Sequence, residues 1–412
     1  MDDYNYLRLP NGIQVVHKEI TSTRLVHAGI VLDVGSRDED TNQLGLAHFW
    51  EHMAFKGTSK RKAFHILSRL DSVGGELNAY TTKEKICFYA SILDTYIEKA
   101  VDIISDITFN SVFPEKQIEK ERGVILEEMS MYYDSPEDAI QDDFDEIIFS
   151  GHPLGNNILG TRNSVLGFQK KDFQKFISDN MDTSKMVFSI VGNISWKKAQ
   201  RLADKYLAIQ EPKVRVTERV PFGKYIPRHV EVKRNTMQAH CAIGCEAYNI
   251  HDDKRLPFFT LTNILGGPAM SSRLNMGIRE KYGYVYAIDA SYQSFTDTGM
   301  FAVFFGTEKR QLKKCISLVY KEIEQLKSKK LGSLQLHKAK GQIMGQLAMA
   351  EENNASLMLL MAKSLLDLNR IESLKEIFTK IDQISSDDLL EVSNEILQAD
   401  NLSLLTFIPE RN

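Results

Sequence analysis

The run His48-Phe49-Trp50-Glu51-His52 constrains this chain more than any other, because its chemistry makes sense only on a helix. On a helix the two histidines stand at i and i+4, one turn apart on one face, and Glu51 points to nearly the same side. Two imidazoles so placed can bind one zinc ion. The order is H-x-x-E-H, the inverse of H-E-x-x-H, and in both the glutamate is the general base on a zinc-bound water. The run therefore predicts a helix over Leu44 to Phe55, closed by Gly57, and points to metal-assisted hydrolysis. Phe49 and Trp50 inside it read as core residues.

The surrounding sequence alternates strand-like and helix-like segments. Leu7 to Ile20 carries Pro10-Asn11-Gly12 between two apolar runs and predicts a hairpin. Leu25 to Val34, Glu76 to Tyr80, Ile86 to Leu93 and Met186 to Val191 read as strands. Ala63 to Leu70, Tyr96 to Ile107, Pro114 to Tyr133 and Trp196 to Leu207 read as helices. From His229 onward the order β-β-α-α-β-β-α returns, about 200 residues after its first appearance. A chain of 412 residues exceeds one core, so two domains are expected. The expected fold is α+β: two similar, duplicated α/β-sandwich domains, each an antiparallel-rich sheet with helices packed on it. Residues 1–211 form the first, with the histidine motif, and residues 229–412 the second. Residues 212–228 read as a linker, rich in Pro, Lys and Arg and poor in periodicity.

Two histidines do not complete a catalytic zinc site; a third protein ligand is normal, with the fourth position left for water. The segment from Glu119 to Met129 offers carboxylates. Glu121 and Glu128 are seven apart, two helical turns, and share a face, while Glu127 is rotated by about 100° from Glu128 and remains a rival.

With these residues in view, the chain resembles the M16 family of zinc peptidases, the pitrilysin and mitochondrial-processing-peptidase group, whose motif is called the inverzincin signature. The family pattern is H-x-x-E-H followed by E-R-x-x-x-x-x-E, matched here by His48, Glu51, His52, Glu121-Arg122 and Glu128. The resemblance implies that His48, His52 and Glu128 bind one zinc ion per chain, that Glu51 is the base, and that Glu121 supports the site. Arg279 and Tyr286, in the stretch Ser272 to Tyr286, match a pair that meets substrate; an arginine can hold a carbonyl or carboxylate, and a tyrosine can steady an oxyanion. Gly75, Glu76, Leu77, Asn78, Ala79 and Tyr80 resemble the edge strand along which an extended peptide adds. Family members enclose unfolded peptide in a chamber of four such domains. A homodimer is therefore expected, with a heterodimer as the other arrangement. The alternative function is a non-catalytic or partner-dependent subunit of a processing complex, and a third is hydrolysis of a non-peptide amide.

Composition excludes other classes. The net charge of −4 carries no nucleic-acid footprint. No stretch approaches the roughly eighteen apolar residues that cross a bilayer. The acidic, polar start Met1-Asp2-Asp3-Tyr4-Asn5 has no signal or transit character, so a cytoplasmic location is expected. Cys87, Cys241, Cys245 and Cys315 read as reduced and buried; on one strand Cys241 and Cys245 would lie about 13 Å apart, too far for a disulfide.

Overall fold

Two largely apolar strands sit at the centre of the first sheet in the computed structural model, which describes residues 4–410. β3 (Leu25–Leu32) and β6 (Met186–Gly192) are buried along nearly their whole length. Strands of this kind need cover on both faces. With β1 (Asn5–Arg8), β2 (Gln14–Glu19), β4 (Glu76–Thr81) and β5 (Ile86–Leu93), the order is β1-β2-β6-β3-β5-β4. β2 and β6 run parallel, and every other neighbour pair is antiparallel. β4 pairs only with β5 and ends the sheet, the edge position expected from Gly75 to Tyr80.

One face is covered by α1 (Leu46–Ala54), α2 (Ala63–Asp71), α3 (Ile97–Phe109) and part of α4 (Glu115–Asp134), around a core that includes Phe49, Trp50, Phe88 and Phe176. The other face is covered by the helix Asn354–Leu368, which sets Met358, Met361 and Leu365 on Val16, Val31, Cys87 and Val187. Fully burying each such side chain is worth about 1.5–3 kcal/mol.

The second sheet repeats the order of five of these strands and has no counterpart of β1. β7 (His229–Arg234), β8 (Ala239–Ala247), β9 (Val285–Ser294), β10 (Gly299–Thr307) and β11 (Ser403–Pro409) take the order β7-β11-β8-β10-β9. Its parallel pair is β7 with β11, the counterpart of β2 with β6. Its edge strand β9, paired only with β10, is the counterpart of β4. Arg255–Gly266, Leu312–Ser328 and Ser386–Ile396 pack on one face, and Pro136–Ile148 on the other. All four cysteines are free and buried. Among the described residues no helix is long and apolar enough to cross a membrane.

The chain divides into two compact units that are discontinuous in sequence, unlike the contiguous halves read from the sequence. The first holds residues up to Met129, Asn156–Val220 and Met349–Ser373; the second holds Ser130–Gly155, Pro221–Ala348 and the residues from Leu374 onward. Each half of the chain thus supplies one helix to the sheet of the other half. Hydrophobic periodicity marks the apolar face of a helix and not the sheet that receives it.

Gly45 opens α1 with φ of 91°, and a Cβ there would lie 2.4 Å from the carbonyl oxygen of Leu159. Gly45→Ala is expected to lower the unfolding free energy of the first unit by about 2–4 kcal/mol. Denaturant unfolding followed by Trp fluorescence checks this, since Trp50 lies in α1.

Candidate metal centre

The rotation of α1 is set by its apolar stripe. Leu46, Phe49, Trp50 and Met53 are all 0% exposed, at the i, i+3, i+4, i+7 spacing of a buried face. His48, Glu51 and His52 fall beside that stripe, His48 buried and the other two half-buried. The N-terminal end of the helix is tied as well. Glu39, buried, accepts the backbone N–H groups of Gly45 at 2.8 Å and Ala47 at 2.7 Å. These are orphan donors of the first turn, where the helix dipole favours an anion. Burial pushes the Glu39 carboxyl well above its usual range, against the pull of those two N–H groups.

α4 delivers the carboxylates. Glu121 and Glu128 face the histidines, whereas Glu127 is exposed, which sets it aside as the rival. His52 Nδ1 lies 3.0 Å from Glu121 Oε1, and Lys56 Nζ lies 2.7 Å from Glu121 Oε2. His52 Nε2 is 3.5 Å from Glu128 Oε2, and His48 Nε2 is 3.8 Å from Glu128 Oε1. The two imidazole rings are 4.5 Å apart between centroids. Burial raises the Glu121 carboxyl, but the His52 and Lys56 hydrogen bonds outweigh it and hold the group below its usual range. Glu128 is pushed up, first by burial and then by Glu121, with His52 opposing.

The donor set fits a divalent cation. One ligand atom from each of His48, His52 and Glu128 lies within 4.8 Å of the other two. Among the described residues they form the one cluster of this kind. Glu121 accepts the Nδ1–H of His52, which leaves the Nε2 lone pair aimed at Glu128; outer carboxylates orient metal-bound histidines in this way. Burial, then the neighbouring His52, lowers the pKa of His48 to about 3, so its imidazole stays neutral and able to ligate. Its Nδ1 is buried and has no hydrogen-bond partner.

Glu51 stands next to this cluster and is held by a residue outside the motif. Thr81 Oγ1, at the end of β4, donates to Glu51 Oε2 at 2.6 Å. Burial raises the Glu51 carboxyl, and the Thr81 hydrogen bond opposes the shift. Along β4, Glu76 and Asn78 are exposed, and Leu77, Ala79 and Tyr80 are half-buried. Gly75 precedes the strand, buried against Ile92, where a Cβ would come within 2.9 Å of that side chain. Thr81, Lys56 and Glu39 escape a reading of the sequence. Only Thr81 leaves a signal, as the hydroxyl that closes the edge strand.

Arg279 and Tyr286 belong to the second unit, where the structure brings them together. Arg279 lies in a π-helical segment, Asn275–Glu280, and its guanidinium sits 5.8 Å from the centroid of the Tyr286 ring. Tyr286, on β9, is 85% exposed. π-Helical turns are rare and often mark functional sites.

If Glu121 orients His52, then Glu121→Gln lowers zinc affinity by about 10–100-fold, because the amide is a poorer partner for His52 and no longer pairs with Lys56. Competition with a chromogenic chelator measures the change.

Two family models match the chain: the insulinase (peptidase family M16) model over residues 14–162, and the M16 inactive-domain model over residues 167–343. A Bacillus subtilis protein named as an uncharacterized zinc protease, YmxG, is 31% identical over 95% of this chain and 95% of its own. A Streptomyces coelicolor protein, also named an uncharacterized zinc protease, is 33% identical over 94% of this chain and 86% of its own. Among solved structures, a protease from Helicobacter pylori superposes with a TM-score of 0.91 at 20% identity, covering 98% of this chain and 99% of its own. A Pseudomonas fluorescens M16 inactive-domain protein gives 0.90 at 16% identity, with 98% of each chain covered.

Proposed function

We propose that this chain, which belongs to peptidase family M16 and is a zinc metallopeptidase, is an endopeptidase of unfolded peptides in which Glu51 is the general base. The reading rests on one observation above all: the ligand atoms of His48, His52 and Glu128 converge directly beside Glu51. Two neutral imidazoles and one carboxylate are the protein ligands of a catalytic zinc site with an open position, and they would hold one zinc ion per chain. Bound there, zinc supplies Lewis acidity, lowering the pKa of a coordinated water from about 16 towards 7 and polarising a carbonyl.

The remaining work falls to the chain's own groups. Glu51 accepts the proton of the attacking water at its carboxylate and later gives it to the leaving amine. Burial favours both halves of that cycle, because a carboxyl with a raised pKa holds the proton long enough to pass it on. The exposed edge of β4 takes an extended peptide through backbone hydrogen bonds, along a strand that ends in Thr81, the partner of Glu51. A strand partner of this kind favours peptides over small amides. In the second unit, Tyr286 and Arg279 are groups suited by their chemistry to an oxyanion and to a substrate carbonyl, the roles that the family resemblance implies for them. Because the chain carries both groups of residues, a homodimer lacks no part. A cytoplasmic setting agrees with four free, buried thiols.

The test is hydrolysis of a quenched unfolded peptide by the purified chain beside Glu51→Gln, with zinc assayed on both. Glu51→Gln is expected to keep zinc and lose activity by a factor of about 100 to 10,000. His48→Ala and His52→Ala lose both zinc and activity. Wild-type protein that binds zinc yet cleaves no peptide points to an obligate partner chain and removes the homodimeric reading.

A further inference from the structure

Residues Glu211 to Val220 contain no helix or strand, yet from Pro212 onward their exposure alternates without a break. Lys213, Arg215, Thr217 and Arg219 are half-buried, while Pro212, Val214, Val216, Glu218 and Val220 are exposed. The alternation is that of a strand, with polarity reversed: valines face out, cations and a hydroxyl face in. Val214, Val216 and Val220 are 74%, 73% and 65% exposed. A segment whose charged side faces the protein is attached by ion pairs and not by apolar burial.

Most of the inward contacts go to the loop Asp33 to Glu39. Arg219 Nε donates to Asp38 Oδ1 at 2.8 Å, and its Nη2 to Asp38 Oδ2 at 2.9 Å, a two-pronged pair. Its Nη1 reaches Asp33 Oδ1 at 2.9 Å, and its Nη2 also reaches the Glu84 carbonyl at 3.0 Å. Arg215 pairs with the same Asp38, whose side chain is 0% exposed. From the loop side, Arg37 donates to the Val220 carbonyl at 2.9 Å and to Glu84 Oε1 at 2.7 Å. Thr217 donates to Asn180 Oδ1 at 2.6 Å, and Val216 N–H to the Asp179 carbonyl at 2.9 Å.

Two short routes lead from this clamp to the metal centre. Asp38 is followed by Glu39, whose carboxylate holds the first turn of α1, the helix of His48, Glu51 and His52. Glu84 belongs to the turn after β4, whose preceding residues Thr81 and Thr82 hold the Glu51 side chain and the Ser36 N–H. Arg219 is the side chain that bonds to both the loop and the turn. We infer that Arg219, with Arg215 in support, is a positioning residue for the metal centre, setting α1 and the general base from the segment by which the chain leaves the first unit. The inference rests on the peptidase reading above for its kinetic consequence, and on geometry alone for its structural one.

The test uses the full chain with Arg219→Ala, Arg219→Lys and Arg215→Ala, and Lys205→Ala at the exposed pair with Glu98 as a control. Zinc content, kcat and KM on a quenched unfolded peptide, and hydrogen exchange at the Gly45 and Ala47 amides are read well below the unfolding temperature of each variant. Arg219→Ala is expected to keep zinc, to lower kcat by about tenfold or more with KM within about twofold, and to speed exchange at both amides. Arg219→Lys recovers part of kcat, and Lys205→Ala changes none of these readouts. If Arg219→Ala does not fold, Arg215→Ala decides, with the same shifts at smaller size. Unchanged exchange at Gly45 and Ala47, with unchanged kcat, overturns the inference. If wild type cleaves no peptide, the peptidase reading fails, and exchange at the two amides still decides the positioning.

Discussion

Everything at the metal centre depends on how one nine-residue helix is rotated about its axis. A turn of α1 by one residue is about 100°, enough to carry both imidazoles away from Glu128. The rotation is locked by burial, because Phe49 and Trp50 are wholly enclosed and would have to leave the core for the helix to turn. Phe49 meets Phe168 and Phe173 edge-on, and Trp50 meets Phe88 and Phe176 in the same manner. Edge-to-face geometry is directional, so these contacts fix orientation as well as depth. The two large residues that interrupt the histidine motif therefore carry the structural half of its function.

Within that frame the site is a layered set of carboxylates with different tasks set by their surroundings. Glu121, bonded to His52 and Lys56, stays ionised and acts as an orienting anion. Glu51, half-buried and bonded to the Thr81 hydroxyl, has a raised proton affinity and suits proton transfer. Glu128 shares its two oxygens between the two histidines, the position of a ligand. Glu39 takes no part in the chemistry and holds the helix end. Four glutamates of one residue type are thus separated by partners and depth alone.

Much of this was legible in the sequence, and what was legible shares one property. His48, Glu51, His52, Glu121 and Glu128 each lie on a helix whose period fixes their mutual faces, so spacing alone orders them. The strand pattern was readable for the same reason, down to the edge strand at Glu76. What was missed depends on approach in space. Thr81 and Lys56 meet their partners across 30 and 65 residues of chain. Residues 212–228 carry no periodicity over their whole length, yet residues 212–220 alternate, with the valines outward, and a period of two does not say which side faces the protein when the cations are the buried set. Nothing in the period of the helix Asn354–Leu368 says that it covers the first sheet and not the second.

The duplication sharpens the difference between fold and chemistry. β8 and the helix Arg255–Gly266 occupy, in the second unit, the places of β3 and α1 in the first. The helix keeps the structural duty: Phe258, Leu261 and Leu265 are buried, as Phe49, Trp50 and Met53 are in α1. It contains no histidine, aspartate or glutamate at all, and no second metal-ligand cluster exists among the described residues. The same architecture thus specifies a metal centre once and a packed helix once. What differs is the handful of side chains beside the apolar stripe, positions that packing leaves free to vary. In the second unit the polar groups lie further along, on the π-helical turn of Arg279 and the edge strand of Tyr286, so that each copy of the fold sets polar side chains next to its edge strand. An edge strand offers unpaired backbone in both units, and groups beside it can act on whatever pairs there.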